Sequence, residues 1–559
     1  MRRYPALAFL ALAAFLATLL PSALRVPLSG PSASAEIAPV PGKSNDSNGN
    51  LSALDASSTQ GLGYGLGSGG TGDGGGGRGG LGQAPPPGKG SNPVQKRCVG
   101  KPPFTRQTED PLAPPCVAYF KGDNFGSTWD GVTRDQINVI VWGNCGVDGS
   151  VQLVDVNDPA YADEHWAAYL HYFNDRFQTY GRNVRAWFTV HPANSTEASC
   201  ADNSPTTRAA VQTVHDKAHP FFITPYYVDL SSEALSQEAA RLHIMSQSLD
   251  PTREFTAANA PYVVSFGPDI EGTAAHLAGL VCSTFAGRQV TFGDATDTGK
   301  RRKFGIVYNE ASDGANRGID LIRSGIRDRC GDQAGDIVVG AAGRQATSDD
   351  MTQMEAQGVT TVLWLDAKVP LPNSGATYAS PWRPEFVIVA EDIVGDNADR
   401  ATGATLATSA GLMLDRRRGA FNEQPEKVAL REACPDCTPN AGDIAKYSQL
   451  LLLFTGIQAA GPRLTPQSFD KGMRAIPPHN PGDPYVPTAY FGPGDHSFVK
   501  DYALAWWDSS GDAPSGPAPG CWRLVDGGRR YLVEDWASRQ GGDAAIHQKV
   551  PTDPCQGEQ

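Results

Sequence analysis

The side chains in this sequence best suited to chemistry are polar, acidic and aromatic residues that follow short apolar runs. In the first half they are Asn144, His191, Tyr226, Tyr227 and Asp269; in the second they are Asn309, Glu310, Asp366, Glu391 and Asp392. Hydrogen-bonding groups and flat aromatic faces suit the capture of a small molecule carrying hydroxyls, amides or a cationic group. Three of these positions carry a plainer reading or a limit. Asp269 can equally cap a helix, and Tyr226 and Tyr227 point to opposite faces while the chain stays extended. Catalytic groupings are sparse. There is no G-x-S-x-G elbow, no H-E-x-x-H helix and no dinucleotide-type glycine pattern after a strand. Gly88-Lys89 is followed by Gly90 where a phosphate loop needs Ser or Thr. His165 and His171 stand six apart, on different faces of a helix. Asp366 and Glu391 could meet as a glycosidase-like carboxylate pair. No metal site and no cofactor is expected.

The start of the chain indicates the compartment. Arg2 and Arg3 precede an apolar run over 6–20, and Ala33-Ser34-Ala35 precedes Glu36 as a small-residue cleavage site. That is the layout of a secretory signal over 1–35, with an uncleaved anchor as the alternative. No Cys lies near the cleavage zone to carry a lipid. Residues 36–97 read as a disordered linker. Fourteen of the 22 residues over 61–82 are Gly, and Pro85-Pro86-Pro87 follows, so little apolar surface is left to offset the entropy of ordering. The formal net charge of -13 argues against nucleic acid as a partner.

The ten Cys stand at 98, 116, 145, 200, 282, 330, 434, 437, 521 and 555. An even number in an exported chain indicates disulfides, expected between neighbours along the chain because each such pair closes a loop within one region. Cys434-Pro435-Asp436-Cys437 could be a redox motif, half a zinc site or a short structural loop. Its polar, Pro-containing setting and the lack of a second such pair favour the structural loop.

The elements that must position the polar residues form two runs of alternation. A Pro-rich leader spans 98–130. Strands are expected at 137–142, 184–190, 221–227, 243–249 and 262–267. A helix is capped by Asp158 with Pro159 at its first position, carries Trp166, Tyr169, Leu170, Phe173 and Phe177 on one face, and ends at Gly181. Two more begin at Ser204-Pro205 and at Ser231 or Ser232. The second run has helices from Asp269, Asp313 and Thr347 and strands at 304–308, 337–341, 361–365 and 386–390. Helices from Asp443 and Thr465-Pro466 follow. The resulting fold class is α/β, with two doubly wound parallel-sheet lobes over 131–268 and 269–440, return segments over 441–500, and an irregular disulfide-stapled tail over 501–559. Ligands of open α/β sheets bind beyond the carboxyl ends of the strands, so two facing lobes make a cleft there.

Three segments carry a family resemblance. Gly131-Val132-Thr133-Arg134-Asp135-Gln136-Ile137-Asn138-Val139 resembles the approach to the first strand of type I periplasmic binding proteins, in the branched-chain amino-acid-binding branch of ABC-transporter receptors. Tyr172-Phe173-Asn174-Asp175-Arg176 running into Tyr180-Gly181-Arg182-Asn183-Val184 resembles the first helix and second strand. Leu464-Thr465-Pro466-Gln467-Ser468-Phe469 resembles a late segment. The resemblance covers roughly 131–500. It implies a two-lobed binding fold, no enzymatic activity, a small polar ligand, amino-acid-like or other, and a membrane permease as partner. Amino-acid binders of that family place small hydroxyl residues after the third and fourth strands. Here those sites read Thr224-Pro225-Tyr226-Tyr227 and Ser265-Phe266-Gly267-Pro268-Asp269, where only Ser265 matches.

Three functions therefore stand. The first is an extracytoplasmic solute-binding protein for uptake or sensing. The second is an envelope interaction or sensor module with a vestigial cleft, binding partners through its Pro-rich and Trp-rich ends. The third is a carboxylate-dependent hydrolase.

Overall fold

The computed structural model describes residues 98–551, apart from 101–104, 119, 159–162, 199, 201–203, 227–231, 250, 310–312, 336, 343–347, 365–381, 391–405, 415–422, 441, 480–482, 512–519 and 550. The described residues all fall in the unit spanning 74–559. The expected signal and linker over 1–97 lie outside them.

The first sheet has six strands: β1 Gln136–Trp142, β2 Gln152–Asp155, β3 Asn183–Val190, β4 Phe222–Pro225, β5 Met245–Gln247 and β6 Val263–Val264. Their order is β6-β5-β4-β1-β3-β2. All neighbours are parallel except β2, which runs antiparallel along β3. Parallel strands covered on both faces need apolar residues throughout, and the central β1 is accordingly buried over nearly its whole length. Helices α1 Glu164–Arg176, α2 Pro205–Ala218 and α3 Glu233–Arg241 connect these strands, with the short α4 Arg253–Ala258 before β6.

Two expectations are corrected here. Helix α1 starts after Asp163, whose side chain accepts the His165 and Trp166 backbone N–H groups, and not after Asp158; it ends at Arg176, not at Gly181. The chain between β1 and α1 makes the edge strand β2, too short and polar to show by alternation.

The second sheet has eight strands. Strands β7 Phe304–Asn309, β8 Val338–Ala342, β9 Thr361–Trp364, β10 Glu385–Ala390 and β11 Ser409–Met413 run parallel in the order β8-β7-β9-β10-β11. Three antiparallel strands complete it: β12 Tyr502–Asp508 beside β11, then β13 Cys521–Leu524 and β14 Arg530–Tyr531 beside β12. The segment expected to be an irregular tail thus supplies three strands, and β12 is buried at every residue. Its Gly- and Pro-rich surroundings hide a seven-residue apolar strand. Helices α5 Ile270–Leu280, α6 Asp313–Cys330 and α7 Ser348–Ala356 belong to this lobe.

The chain then returns to the first lobe. Helices α8 Pro425–Ala433 and α9 Asp443–Ala460 pack on α1, and α10 Pro466–Ala475 packs on α9. The aromatic stripe of α1 is what they meet: Phe173 lies 5.0 Å from the Tyr447 ring and 5.3 Å from that of Phe454, centroid to centroid. Four disulfides join neighbours along the chain, as expected: Cys98–Cys116, Cys145–Cys200, Cys282–Cys330 and Cys434–Cys437, the last a structural clip between α8 and α9. Cys521 is also disulfide-bonded; Cys555, its expected partner, lies outside the described residues.

One buried histidine fastens the tail to the second lobe. His276 on α5 is 1% exposed. Its Nε2 lies 2.9 Å from the Lys500 carbonyl, and its Nδ1 accepts from Trp536 Nε1 at 3.0 Å. Gly279, one turn on, leaves room for the Trp536 ring, which a Cβ would meet at 2.7 Å. Both ring nitrogens are used in the neutral form, and burial pushes the imidazole down to about 4, against the pull of the Lys500 carbonyl. A depressed histidine is protonated only in the unfolded chain between its ordinary value of 6.5 and about 4, so stability present above pH 6.5 is lost as pH falls through that window. At about 1.36 kcal/mol per pH unit this one group contributes at most roughly 3 kcal/mol. Urea unfolding at pH 7 and pH 4.5 should show a smaller loss in His276→Gln, which can keep both hydrogen bonds without titrating. An unchanged loss would show that His276 does not carry the linkage.

Candidate functional site

The carboxyl ends of the first-lobe strands form a polar rim built around Asp163. One carboxylate oxygen caps α1; the other accepts from the Tyr226 hydroxyl at 2.6 Å and pairs with Lys446 Nζ at 2.8 Å. Burial pushes this carboxyl up, but the charge and hydrogen bond of Lys446 and the Tyr226 hydroxyl outweigh it and hold Asp163 below the ordinary carboxylate value. The Tyr226 ring stacks on Trp166 at 6.3 Å and meets the edge of Phe188 at 5.4 Å. It remains half-buried. Trp166 Nε1, buried beside it, finds no acceptor.

The start of α9 is fastened to the same rim. Asp443 accepts from His165 and from the Asn440 backbone N–H at 2.7 Å, with Lys427 Nζ at 3.3 Å. Burial raises the Asp443 carboxyl, but the His165 bond and the Lys427 charge bring it below its usual value. Thr224, at the end of β4, bonds Gln449 at 3.1 Å and lies 3.3 Å from Gln247 Oε1. Lys446 and Asp443 therefore come to the first-lobe strand tips from a helix nearly 200 residues further along the chain.

The residues expected at the site divide into groups. Tyr226 is at the rim. Asn144 follows β1 and donates to Glu197, beside the Cys145–Cys200 disulfide. Ser265 is fully buried where the chain crosses between lobes, and its Oγ finds no partner. Asp269 caps α5 through Gly272 N–H at 2.7 Å and holds Arg253 with both oxygens, at 2.7 and 3.0 Å. Its capping use is the one observed. Asn309 closes β7 opposite Ala342. Tyr227, Glu310, Asp366 and Glu391 lie outside the described residues.

Sequence reading missed Asp163, Lys446 and the His165–Asp443 pair. Placing the α1 cap at Asp158 concealed Asp163. A charged residue beside the apolar stripe of α9 was the available signal for Lys446.

No family model and no curated protein matches the chain. Among solved structures it is similar to a fatty acid ABC transporter substrate-binding protein from Thermomonospora curvata, at 13% identity and a TM-score of 0.48 over 74% of this chain and 96% of that one. It is also similar to an ABC-transporter solute-binding protein from Rhodopseudomonas palustris HaA2 in complex with p-hydroxybenzoic acid, at 10% identity and a TM-score of 0.47 over 71% and 98%. A third is an ABC transporter substrate-binding protein from Aeropyrum pernix, at 13% identity and a TM-score of 0.46 over 73% and 100%.

The strand orders decide the fold. Counting parallel strands in chain order, both sheets run 2-1-3-4-5, the flavodoxin-like doubly wound order, and the chain passes between them after β6, after β11 and before β12. The fold is therefore a pair of like-ordered doubly wound sheets, the two-lobed α/β class expected from the sequence. No helix among the described residues is long and apolar enough to cross a membrane.

The buried Asp163–Lys446 pair yields a stability test. Lys446→Met leaves the Asp163 charge unpaired and should cost about 3–5 kcal/mol in urea unfolding. The Asp163→Asn/Lys446→Met double variant should recover much of that loss. Equal losses in single and double variants would mean that the pair contributes only through packing. The stability due to Asp163 is present above its unfolded value and is lost as pH falls through its lower folded value.

Proposed function

We propose that this chain is an extracytoplasmic solute-binding protein that closes its two lobes around a small polar ligand and delivers it to a membrane permease or a sensing partner, without chemical change. The observation that carries this reading is a pair of like-ordered doubly wound sheets joined by repeated crossings, since the carboxyl ends of such sheets are where ligands bind. Four disulfides among the described residues support an oxidising compartment. Trp166 Nε1 supplies a buried donor without an acceptor at the rim, which a ligand oxygen would satisfy.

In this reading Tyr226 and Asn144 contact the ligand from the first lobe, and Asn309, Glu310, Asp366 and Glu391 from the second. Tyr227 is the alternative to Tyr226 as the aromatic contact, while Ser265 and Asp269 belong to the crossing between lobes.

The second reading, a module whose cleft takes no ligand, draws support from the saturation of Asp163, whose two oxygens are both engaged inside the protein. Burial of Trp506, Trp507, Trp522 and Trp536 counts against a Trp-rich end acting as its partner surface.

A thermal-shift panel of amino acids, sugars, polyamines and aromatic acids separates the two, with mass spectrometry of co-purified small molecules. A receptor should be stabilised by about 2.7 kcal/mol at 100 times Kd, and Tyr226→Ala should weaken that response at least 10-fold. No response across the panel and no co-purified molecule would favour the vestigial cleft. Turnover of any panel compound that Asp366→Asn abolishes would make the protein a hydrolase.

A further inference from the structure

At the opposite end of the first lobe, before the amino ends of its strands, three ligand-type side chains converge. His215 lies in the last turn of α2, and His219 is the residue that caps it, in a left-handed conformation with φ of 44°. Asp130 comes from the turn that leads into β1. Asp130 Oδ2 lies 3.4 Å from His215 Nε2 and 3.3 Å from His219 Nδ1. His219 Nδ1 also lies 3.2 Å from Asp130 Oδ1. Spacings of this size match the edge of a zinc tetrahedron, where bonds of about 2.0–2.1 Å put ligand atoms roughly 3.3–3.4 Å apart. We propose that Asp130, His215 and His219 bind a divalent transition-metal ion of the zinc type, with a fourth position open to water.

The surroundings fit such an ion. His215 Nδ1 lies 3.2 Å from Asp216 Oδ1. A carboxylate behind a ligand histidine fixes its tautomer, here leaving Nε2 free for the metal, and raises its basicity. The site also lies at a helix C-terminus, where unsatisfied carbonyls favour a cation. The backbone holds both sides in place. Gly131, next to Asp130, has φ of 74°, and a Cβ there would meet the His219 carbonyl at 2.4 Å and the Phe221 amide at 2.3 Å. Only glycine lets the Asp130 turn close this tightly on the end of α2. Asn138 Nδ2 donates to the Ala218 carbonyl at 2.8 Å, tying the end of α2 to β1.

A second grouping, Glu164, His165 and Cys437, does not compete. Cys437 is in a disulfide, and His165 is engaged by Asp443.

The test is titration of the full chain, disulfides intact, with zinc chloride against a chromophoric chelator, and separately with cobalt(II) chloride. One zinc per chain and a cobalt visible spectrum of tetrahedral intensity are expected. Loss of affinity in His215→Ala, His219→Ala and Asp130→Asn should exceed the roughly 10–100-fold expected for Asp216→Asn, the carboxylate behind the ligand. These side chains lie toward the surface, so each variant should keep the metal-free melting temperature, while only the wild type gains from zinc. Absence of zinc uptake by the wild type, or equal uptake by the His215→Ala/His219→Ala variant, would overturn the proposal.

Discussion

Two of the crossings between the lobes are bonded to each other, and the relation of one lobe to the other depends on that pairing. Ser265 N–H donates to the His496 carbonyl at 2.9 Å, Phe498 N–H to the Ser265 carbonyl at 2.9 Å, and Val499 N–H to the Phe266 carbonyl at 2.8 Å. Residues 265 and 497 thereby form a parallel bridge in the middle of the connection. Both Ser265 and Ser497 are buried, and a buried backbone group that loses its partner costs about 1–3 kcal/mol. A change in the angle between lobes must therefore twist both straps together. The full burial of Ser265 follows from its place in these paired crossings, whatever use its hydroxyl has.

The rim of the first lobe is fastened by α9, which enters as part of the return from the second lobe. Its aromatic contacts with α1 supply non-directional burial, while Asp163–Lys446, His165–Asp443 and Thr224–Gln449 fix its register on the strand tips. Burying ions is unfavourable unless geometry and hydrogen bonds compensate. Here each buried carboxylate has at least one cation and one backbone N–H donor. A rim assembled this way presents Tyr226 in one orientation, with its hydroxyl held by Asp163.

Much of this architecture could be read from the residues. Continuous apolar strands such as β1 and the five-residue stripe of α1 are local patterns, and local pattern determines element type. Pairing of neighbouring cysteines was legible because each pair closes within one lobe or connecting loop. The failures share a cause. Strand β12 pairs with β11 almost a hundred residues earlier, and no local signal announces such a partner. Lys446 showed in the sequence only as a charge beside the apolar stripe of α9, because its place at the rim depends on Asp163, some 280 residues away. The His215–x3–His219 spacing was present in the sequence, but two histidines one turn apart became informative only once the fold brought Asp130 to them.

The antiparallel strands at the C-terminal end resolve a problem that the parallel part of the second lobe creates. Strand β11 reads Ser409-Ala410-Gly411-Leu412-Met413, and Gly411 lies so close to β10 that a Cβ would meet the Ile388 carbonyl at 2.2 Å. Left as an edge, it would expose a row of unpaired backbone groups on a small-residue strand, a template for wrong pairing. Strand β12 covers it and brings Trp506 and Trp507 into the core. The chain beyond then wraps back over the lobe. Asp543 joins the fully buried Arg302–Glu385 pair, and His547 stacks between Phe292 and Trp506 at 4.7 and 4.8 Å. Arg302 and Glu385 already balance in charge, so Asp543 adds a second acceptor for the guanidinium and ties the tail to a core laid down some 240 residues earlier. Among the described residues, the segment from β12 to His547 is therefore part of the second lobe's core and not an appendage to it.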